Sequence, residues 1–335
     1  MERATVSFAY ISTLILPAAI WVIGVSGLMG EDAKVSLEPR ARSQPSASRS
    51  VDRVDPSFRA SGDLVLIPVM VTDSQDRLVT GLEKEYFRLF DNKAEQAITQ
   101  FASEDAPVSV GIVFDCSGSM GAKLQKSRTA VAEFLRIANP EDEFALVVFS
   151  DTAQLAVPLT DRNEEIQNRL AFTQSKGQTA LLDAVYLAMH EMKHARKSRK
   201  ALLIISDGGD NTSRYTTAEI KSMVREADMQ IYAIGILEPL AQRSRTPEEL
   251  AGPELLHNIA QQSGGRLFEV QDLNELPDIA AKIGMALRNQ YLIGYTPAAE
   301  KKDGKYHRIE VKMTLPKGMP PLRASFRSGY FATEP

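Results

Sequence analysis

Asp115, Ser117 and Ser119 stand at alternate positions in Asp115-Cys116-Ser117-Gly118-Ser119-Met120, directly after the apolar run Val108 to Phe114. An apolar, β-branched run of this length reads as a strand buried on both faces. A tight loop leaving it can aim alternate side chains at one point, and ligands in open α/β sheets bind beyond the carboxyl ends of the strands. The three side chains offer hard oxygen donors with one formal charge among them, a set that suits Mg²⁺ or Mn²⁺. Capping of the following helix would explain one of these oxygens but not both serines.

Asp-x-Ser-x-Ser after a buried strand resembles the metal-ion-dependent adhesion site of von Willebrand factor type A domains. That resemblance implies a threonine and an aspartate from two later loops. Thr179, in Gly177-Gln178-Thr179-Ala180, and Asp207, after the apolar run Leu202 to Ile205, occupy the matching positions. It further implies that Ser117 and Ser119 bind Mg²⁺ (or Mn²⁺) through their hydroxyls. Asp115 and Asp207 would hold coordinated waters or bind the ion directly, and Thr179 would approach when a ligand engages. An acidic side chain of a protein partner would then complete the coordination sphere. The chain from Gly62 to Phe331 is similar to the von Willebrand A-related family described from acidobacteria. The features are Val79-Thr80-Gly81-Leu82, Tyr86-Phe87, Ser206-Asp207-Gly208-Gly209-Asp210-Asn211, Tyr291-Leu292-Ile293-Gly294-Tyr295 and Gly329-Tyr330-Phe331.

A second pattern carries different chemistry. His190-Glu191-Met192-Lys193-His194 reads His-Glu-x-x-His, the zinc-protease arrangement of two histidines on one helix face. It falls at the Lys- and Arg-rich end of the helix that follows Thr179, and no convincing third ligand segment follows it. A zinc-dependent protease is therefore the alternative to a binding module that is not an enzyme. Serine-hydrolase, haloacid-phosphatase and phosphate-loop patterns are all missing a required residue. Asp183 reads as a residue that pins a neighbouring loop, and Asp210, Asn211 and Thr212 read as a solvated turn. Cys116 is the one cysteine, so no intrachain disulfide forms; a small buried side chain explains it better than a nucleophile.

The net charge of −4 over 335 residues, with no basic block, argues against a nucleic-acid partner. Arg3 and the apolar stretch Phe8 to Val25, closed by Ser26-Gly27, read as a signal peptide or N-terminal anchor over 1–27. The expectation is an exported chain, periplasmic, cell-surface or secreted, which meets a membrane only through that segment. A Ser-, Arg- and Pro-rich linker over 28–61 follows.

From 62 to 104 the pattern is β-rich: Leu64 to Thr72, Phe87 to Phe90 and Ala97 to Phe101 read as strands. Pro68 places the first of them at an edge or a bulge. Residues 105–288 alternate strands and helices, predicting an α/β fold with a doubly wound, mostly parallel sheet of von Willebrand A or Rossmann-like type. Within it, Gln154 to Leu159 should pair antiparallel at an edge, Thr216 and Glu219 have capping-box spacing, and Leu255 to Gln262 is helical. Residues 289–335 return to strands. The two incomplete β segments predict one small flanking β-sandwich built from N- and C-terminal strands, with the α/β domain inserted between them.

Overall fold

The computed structural model describes residues 64–103, 105–237, 247–297, 303–316 and 318–332. The expected export segment 1–27 and linker 28–61 lie outside the described residues. Among those described, no helix is long and apolar enough to cross a membrane.

The first strands are β1 (Val65–Thr72), β2 (Phe87–Asp91), β3 (Ala94–Gln96) and β4 (Gln100–Ala102). The α/β part follows with β5 (Val108–Asp115), α1 (Leu124–Arg136), β6 (Glu143–Phe149), β7 (Ala153–Thr160), α2 (Asn163–Ala171) and α3 (Leu181–Glu191). It continues with β8 (Arg199–Ser206), α4 (Thr217–Glu226), β9 (Gln230–Ile236), α5 (Pro247–Gln262), β10 (Leu267–Val270) and α6 (Leu276–Arg288). The chain closes with β11 (Tyr291–Tyr295), β12 (Tyr306–Met313), β13 (Arg323–Phe326) and β14 (Gly329–Phe331).

The six-stranded sheet runs β10-β9-β8-β5-β6-β7, parallel except for β7, which lies antiparallel at the edge as the sequence predicts. All of β5 is buried because helices cover both faces of the sheet. Val110, Ile112 and Phe114 pack toward the cluster that includes Val131 and Phe134 of α1 and Ile283 of α6. Val113 packs toward the cluster of Leu182 and Val185 of α3 and Ile220 of α4. Strand order reverses beside β5, whose neighbours are β6 on one side and β8 on the other. The carboxyl ends of β5 and β8 are therefore the topological switch point of this sheet, the place where ligands bind in open α/β sheets. The capping box forms at α4, with Thr216 and Glu219 each bonding the other's backbone N–H.

The β segments from both flanks form two antiparallel four-stranded sheets, β13-β1-β11-β4 and β14-β12-β2-β3. They share a core that includes Ile67, Leu89, Tyr291, Ile293 and Ile309. Two expectations are corrected here. First, β1 is an interior strand, paired with β11 and β13. Pro68 is accommodated because β13 pairs only from Val69 onward, leaving that flank of Pro68 without a strand neighbour. Second, of the strand expected over Ala97 to Phe101 only the end pairs, as β4, while Ala94–Gln96 just before it forms β3 in the other sheet. Between them Ile98 is buried in the shared core, so the chain turns inward there before joining β11.

Candidate metal centre

Asp115 ends β5 and is fully buried, while Ser117 and Thr179 are also buried. The Asp115 carboxylate is held at both oxygens: Oδ1 accepts from the Ser117 N–H at 2.8 Å and Oδ2 from the Ser206 hydroxyl at 2.5 Å. Ser206 in turn accepts from the Gly208 N–H at 2.9 Å, so the first loop and the Asp207 loop share one hydrogen-bond relay. The Ser117 and Ser119 hydroxyls lie 3.0 Å apart, within hydrogen-bond distance of one another. Burial, and then the charge of Asp207, push the Asp115 carboxyl up to about 7.

The loop ahead of α3 is laced to the first loop. Gly118 N–H donates to the Gly177 carbonyl at 3.0 Å, Lys176 N–H donates to that of Cys116 at 2.9 Å, and the Ser175 hydroxyl donates to that of Ser117. Thr179 is fixed against the Asp207 loop: its N–H donates to Asn211 Oδ1 at 2.9 Å, and Asn211 N–H returns a bond to the Thr179 carbonyl at 3.0 Å. The five candidate residues thus come from three loops that hydrogen bond to one another. Asp115, Ser117 and Ser119 are linked directly, and Thr179 and Asp207 arrive through Asn211 and Ser206.

Asp207 carries the feature that sequence reasoning missed. Its Oδ2 accepts from Lys123 Nζ at 2.9 Å, and both side chains are buried. Its Oδ1 is buried with no hydrogen-bond partner among the described residues. A buried carboxylate oxygen left unbonded is costly, and such an oxygen calls for a proton donor, a water or a cation. With two serine hydroxyls and two carboxylates, the donors are hard oxygens, and this set fits Mg²⁺ or Mn²⁺ better than a softer ion. Lys123 offsets one of the two carboxylate charges.

The neighbouring turn is less solvated than expected. Asp210 Oδ1 accepts from the Leu182 N–H at 3.2 Å and the Ser213 hydroxyl at 2.6 Å, which caps the start of α3. Asp183 pins the adjacent loop through the N–H groups of Arg214 and Tyr215. Cys116 packs inside, its thiol pushed up to about 12 by burial, so it has no nucleophilic character at neutral pH.

The His-Glu-x-x-His pattern does not keep its helical geometry. Helix α3 ends at Glu191 and residues 192–194 tighten into a 3₁₀ turn. The His190 and His194 rings stand 6.1 Å apart, edge to face, and Glu191 Oε1 accepts from the Leu159 N–H at 3.2 Å. Among the described residues, no group of three or more His, Cys, Asp or Glu side chains could hold a metal ion.

Residues 110–209 match the family described as von Willebrand factor type A domain. An uncharacterised protein of Borreliella burgdorferi is 23% identical over 216 residues, 55% of this chain and 63% of that protein. Inter-alpha-trypsin inhibitor heavy chain 4 of Mus musculus is 30% identical over 146 residues, 39% of this chain and 16% of that protein. The chain therefore spans less than two thirds of either relative's length. A solved structure described as von Willebrand factor type A from Catenulispora acidiphila aligns with 82% of this chain and 76% of its own, at 14% identity and a TM-score of 0.48.

Proposed function

Residues 110–209 carry a von Willebrand factor type A domain, and from that premise we propose that the chain is an exported protein-binding module whose recognition runs through a divalent cation. The buried Oδ1 of Asp207, without a hydrogen-bond partner among the described residues and on a carboxylate whose charge is felt by Asp115, carries this reading. Ser117 and Ser119 would hold Mg²⁺ or Mn²⁺ through their hydroxyls, with Asp115, Asp207 and Thr179 completing the donor set. A bound cation would supply an open coordination position for an acidic side chain of the partner.

The chain's own groups prepare that preference. Ser117 N–H and the Ser206 hydroxyl hold the Asp115 carboxylate at both oxygens. Two carboxylates, the Lys123 ammonium and a divalent cation together leave one net positive charge in a largely buried site. Such a site attracts a carboxylate and disfavours a cationic ligand. Export rests on the composition of residues 1–27, and placement in the acidobacterial family rests on the quoted motifs and on the sandwich drawn from both flanks.

Calorimetric titration of Mg²⁺, Mn²⁺ and Zn²⁺ into the full chain tests the proposal. Saturable Mg²⁺ or Mn²⁺ binding is expected. It should weaken by about tenfold or more in Ser119→Ala, the range that lost coordination or supporting contacts cost metal sites. Absence of Mg²⁺ and Mn²⁺ binding would overturn the metal reading. Tight Zn²⁺ binding that disappears in His190→Ala would put the protease alternative in its place.

A further inference from the structure

At the end of the six-stranded sheet opposite the Asp115 loop, a half-open cavity of about 460 Å³ lies between the ends of α3 and α4, beside the start of β8. Its apolar wall is unusual in composition. The core on this face of the sheet is rich in branched aliphatic side chains such as Leu182, Val185, Leu202 and Ile220. Among the described residues, however, no leucine, isoleucine or valine lines the cavity. All four methionines of that core do: Met189, Met192, Met223 and Met229.

Packing gives no reason for that sorting. Methionine in a core serves as an adaptable filler of irregular gaps, whereas these methionines surround a gap and leave it open. What sets them apart from their branched neighbours is the thioether sulfur, a soft donor of the kind that selects Cu⁺. Met192 is fully buried, and its sulfur would stand 3.4 Å from a Cβ at Gly111 of β5, so it forms the floor. Met189 is 7% exposed and Met223 and Met229 are half-buried, so all three keep accessible surface. Met189 and His190 stand in the last turn of α3, Met223 in the last turn of α4, and Met229 directly before β9. His190 adds a donor of a second kind. Its exposed ring stacks on Tyr186 and meets His194 edge to face, and among the described residues no hydrogen bond or ion pair engages its nitrogens.

The rim bears Lys193 and Lys200 with Glu226 and Asp228. Two cations beside two carboxylates give no excess negative field for a hard divalent ion, so donor softness decides what binds. We propose that this cavity binds one soft monovalent metal ion, Cu⁺, through the Met189, Met223 and Met229 sulfurs and the His190 imidazole. Methionine stems are unbranched and flexible, so the thioethers can close on an ion narrower than the cavity. The opening gives the ion a path in. This site is independent of the Asp115 centre, and binding there involves no redox step.

Anaerobic titration of Cu⁺ into the metal-free full chain, in competition with bicinchoninic acid, tests the proposal, with Ag⁺ as a redox-inert probe in calorimetry. One saturable site for Cu⁺ and for Ag⁺ is expected. Met223→Leu and Met229→Leu conserve volume, a change that cores tolerate well, and each removes one sulfur. Each should weaken Cu⁺ binding by about tenfold or more, the range that lost contacts cost metal sites. If neither variant folds, His190→Gln, at an exposed position, should show the same weakening. Excess Zn²⁺ or Mg²⁺ should not displace the ion, since Zn²⁺ takes thiolate, imidazole and carboxylate, and Mg²⁺ takes oxygen. The proposal is overturned by no Cu⁺ binding, by displacement with Zn²⁺ or Mg²⁺, or by unaltered Cu⁺ affinity in the folded methionine or histidine variants.

Discussion

Gly252→Ala is expected to destabilise the fold by about 1–3 kcal/mol through overpacking and to weaken Mg²⁺ binding at donors it never touches. Gly252 lies in α5, and a Cβ there would stand 2.4 Å from the carbonyl carbon of Gly208, 2.5 Å from its oxygen and 2.8 Å from its Cα. Those are backbone atoms, so no side-chain rotation relieves the clash. Gly208 follows Asp207 directly and has φ +88, a conformation open chiefly to glycine. Either α5 withdraws or the Asp207 loop moves. Moving the loop shifts Asp207 and breaks the relay from Gly208 N–H through Ser206 to Asp115. Metal affinity should then fall by about tenfold or more, as when supporting contacts of a metal site are lost. Gly284→Ala is the control: its Cβ would meet the Ile137 side chain at 2.5 Å in α6, a flexible neighbour away from the metal loops. Calorimetry and melting on both variants separate the two effects. Wild-type Mg²⁺ affinity in Gly252→Ala would mean that α5 yields and the loop does not depend on it.

The parts of this molecule legible in the sequence are those whose cause is local. Strand β5 could be read because burial on both faces leaves an uninterrupted apolar run, and α4 because its cap is written within four residues. The edge strand β7 follows from a connection too short for a crossover. Long-range causes were not legible. Pro68 looked like an edge marker because local sequence does not show where β13 stops pairing. Helix α5 begins at Pro247 rather than near Leu255 because its first turns, around Gly252, are set by packing on Gly208 rather than by an apolar period.

The candidate site divides the same way. Its loops are announced by strand ends and hydroxyl spacing. Lys123, however, meets Asp207 across 84 positions, and Ser206 meets Asp115 across 91. The sole sequence signals were a lysine at the start of α1 and a serine ending β8, and both have ordinary readings as helix and strand termini. The zinc pattern departs in the opposite sense. Its five letters are present, but α3 tightens at Glu191, so spacing in sequence is not spacing on a continuous helix.

Lys123→Met is expected to destabilise the metal-free chain and to bind Mg²⁺ more tightly than the wild type. Lys123 is 5% exposed and donates to Asp207 Oδ2, so its removal takes a cation from a buried carboxylate. Breaking a buried pair by removing one partner costs about 3–5 kcal/mol, because the remaining charge is left uncompensated. Asp115 stands near enough that the Asp207 charge already raises its pKa, so the variant leaves two neighbouring carboxylates without the Lys123 cation. That is the condition under which a divalent cation is taken up most strongly. At an effective dielectric of 20, one unit charge about 4 Å from another is worth about 4 kcal/mol; after relaxation, an affinity gain of about ten- to hundredfold is expected. Melting with and without Mg²⁺ should accordingly show a larger metal-dependent rise than in the wild type, since a ligand that binds only the folded state restores its stability. The gain carries a functional loss, because the loaded site falls from one net positive charge to neutrality and holds an acidic group less firmly. The opposite result, weaker Mg²⁺ binding in a folded variant, would assign Lys123 a different part. It would then act by holding Asp207 so that Oδ1 faces the ion, and the charge argument for an acidic partner would fail with it.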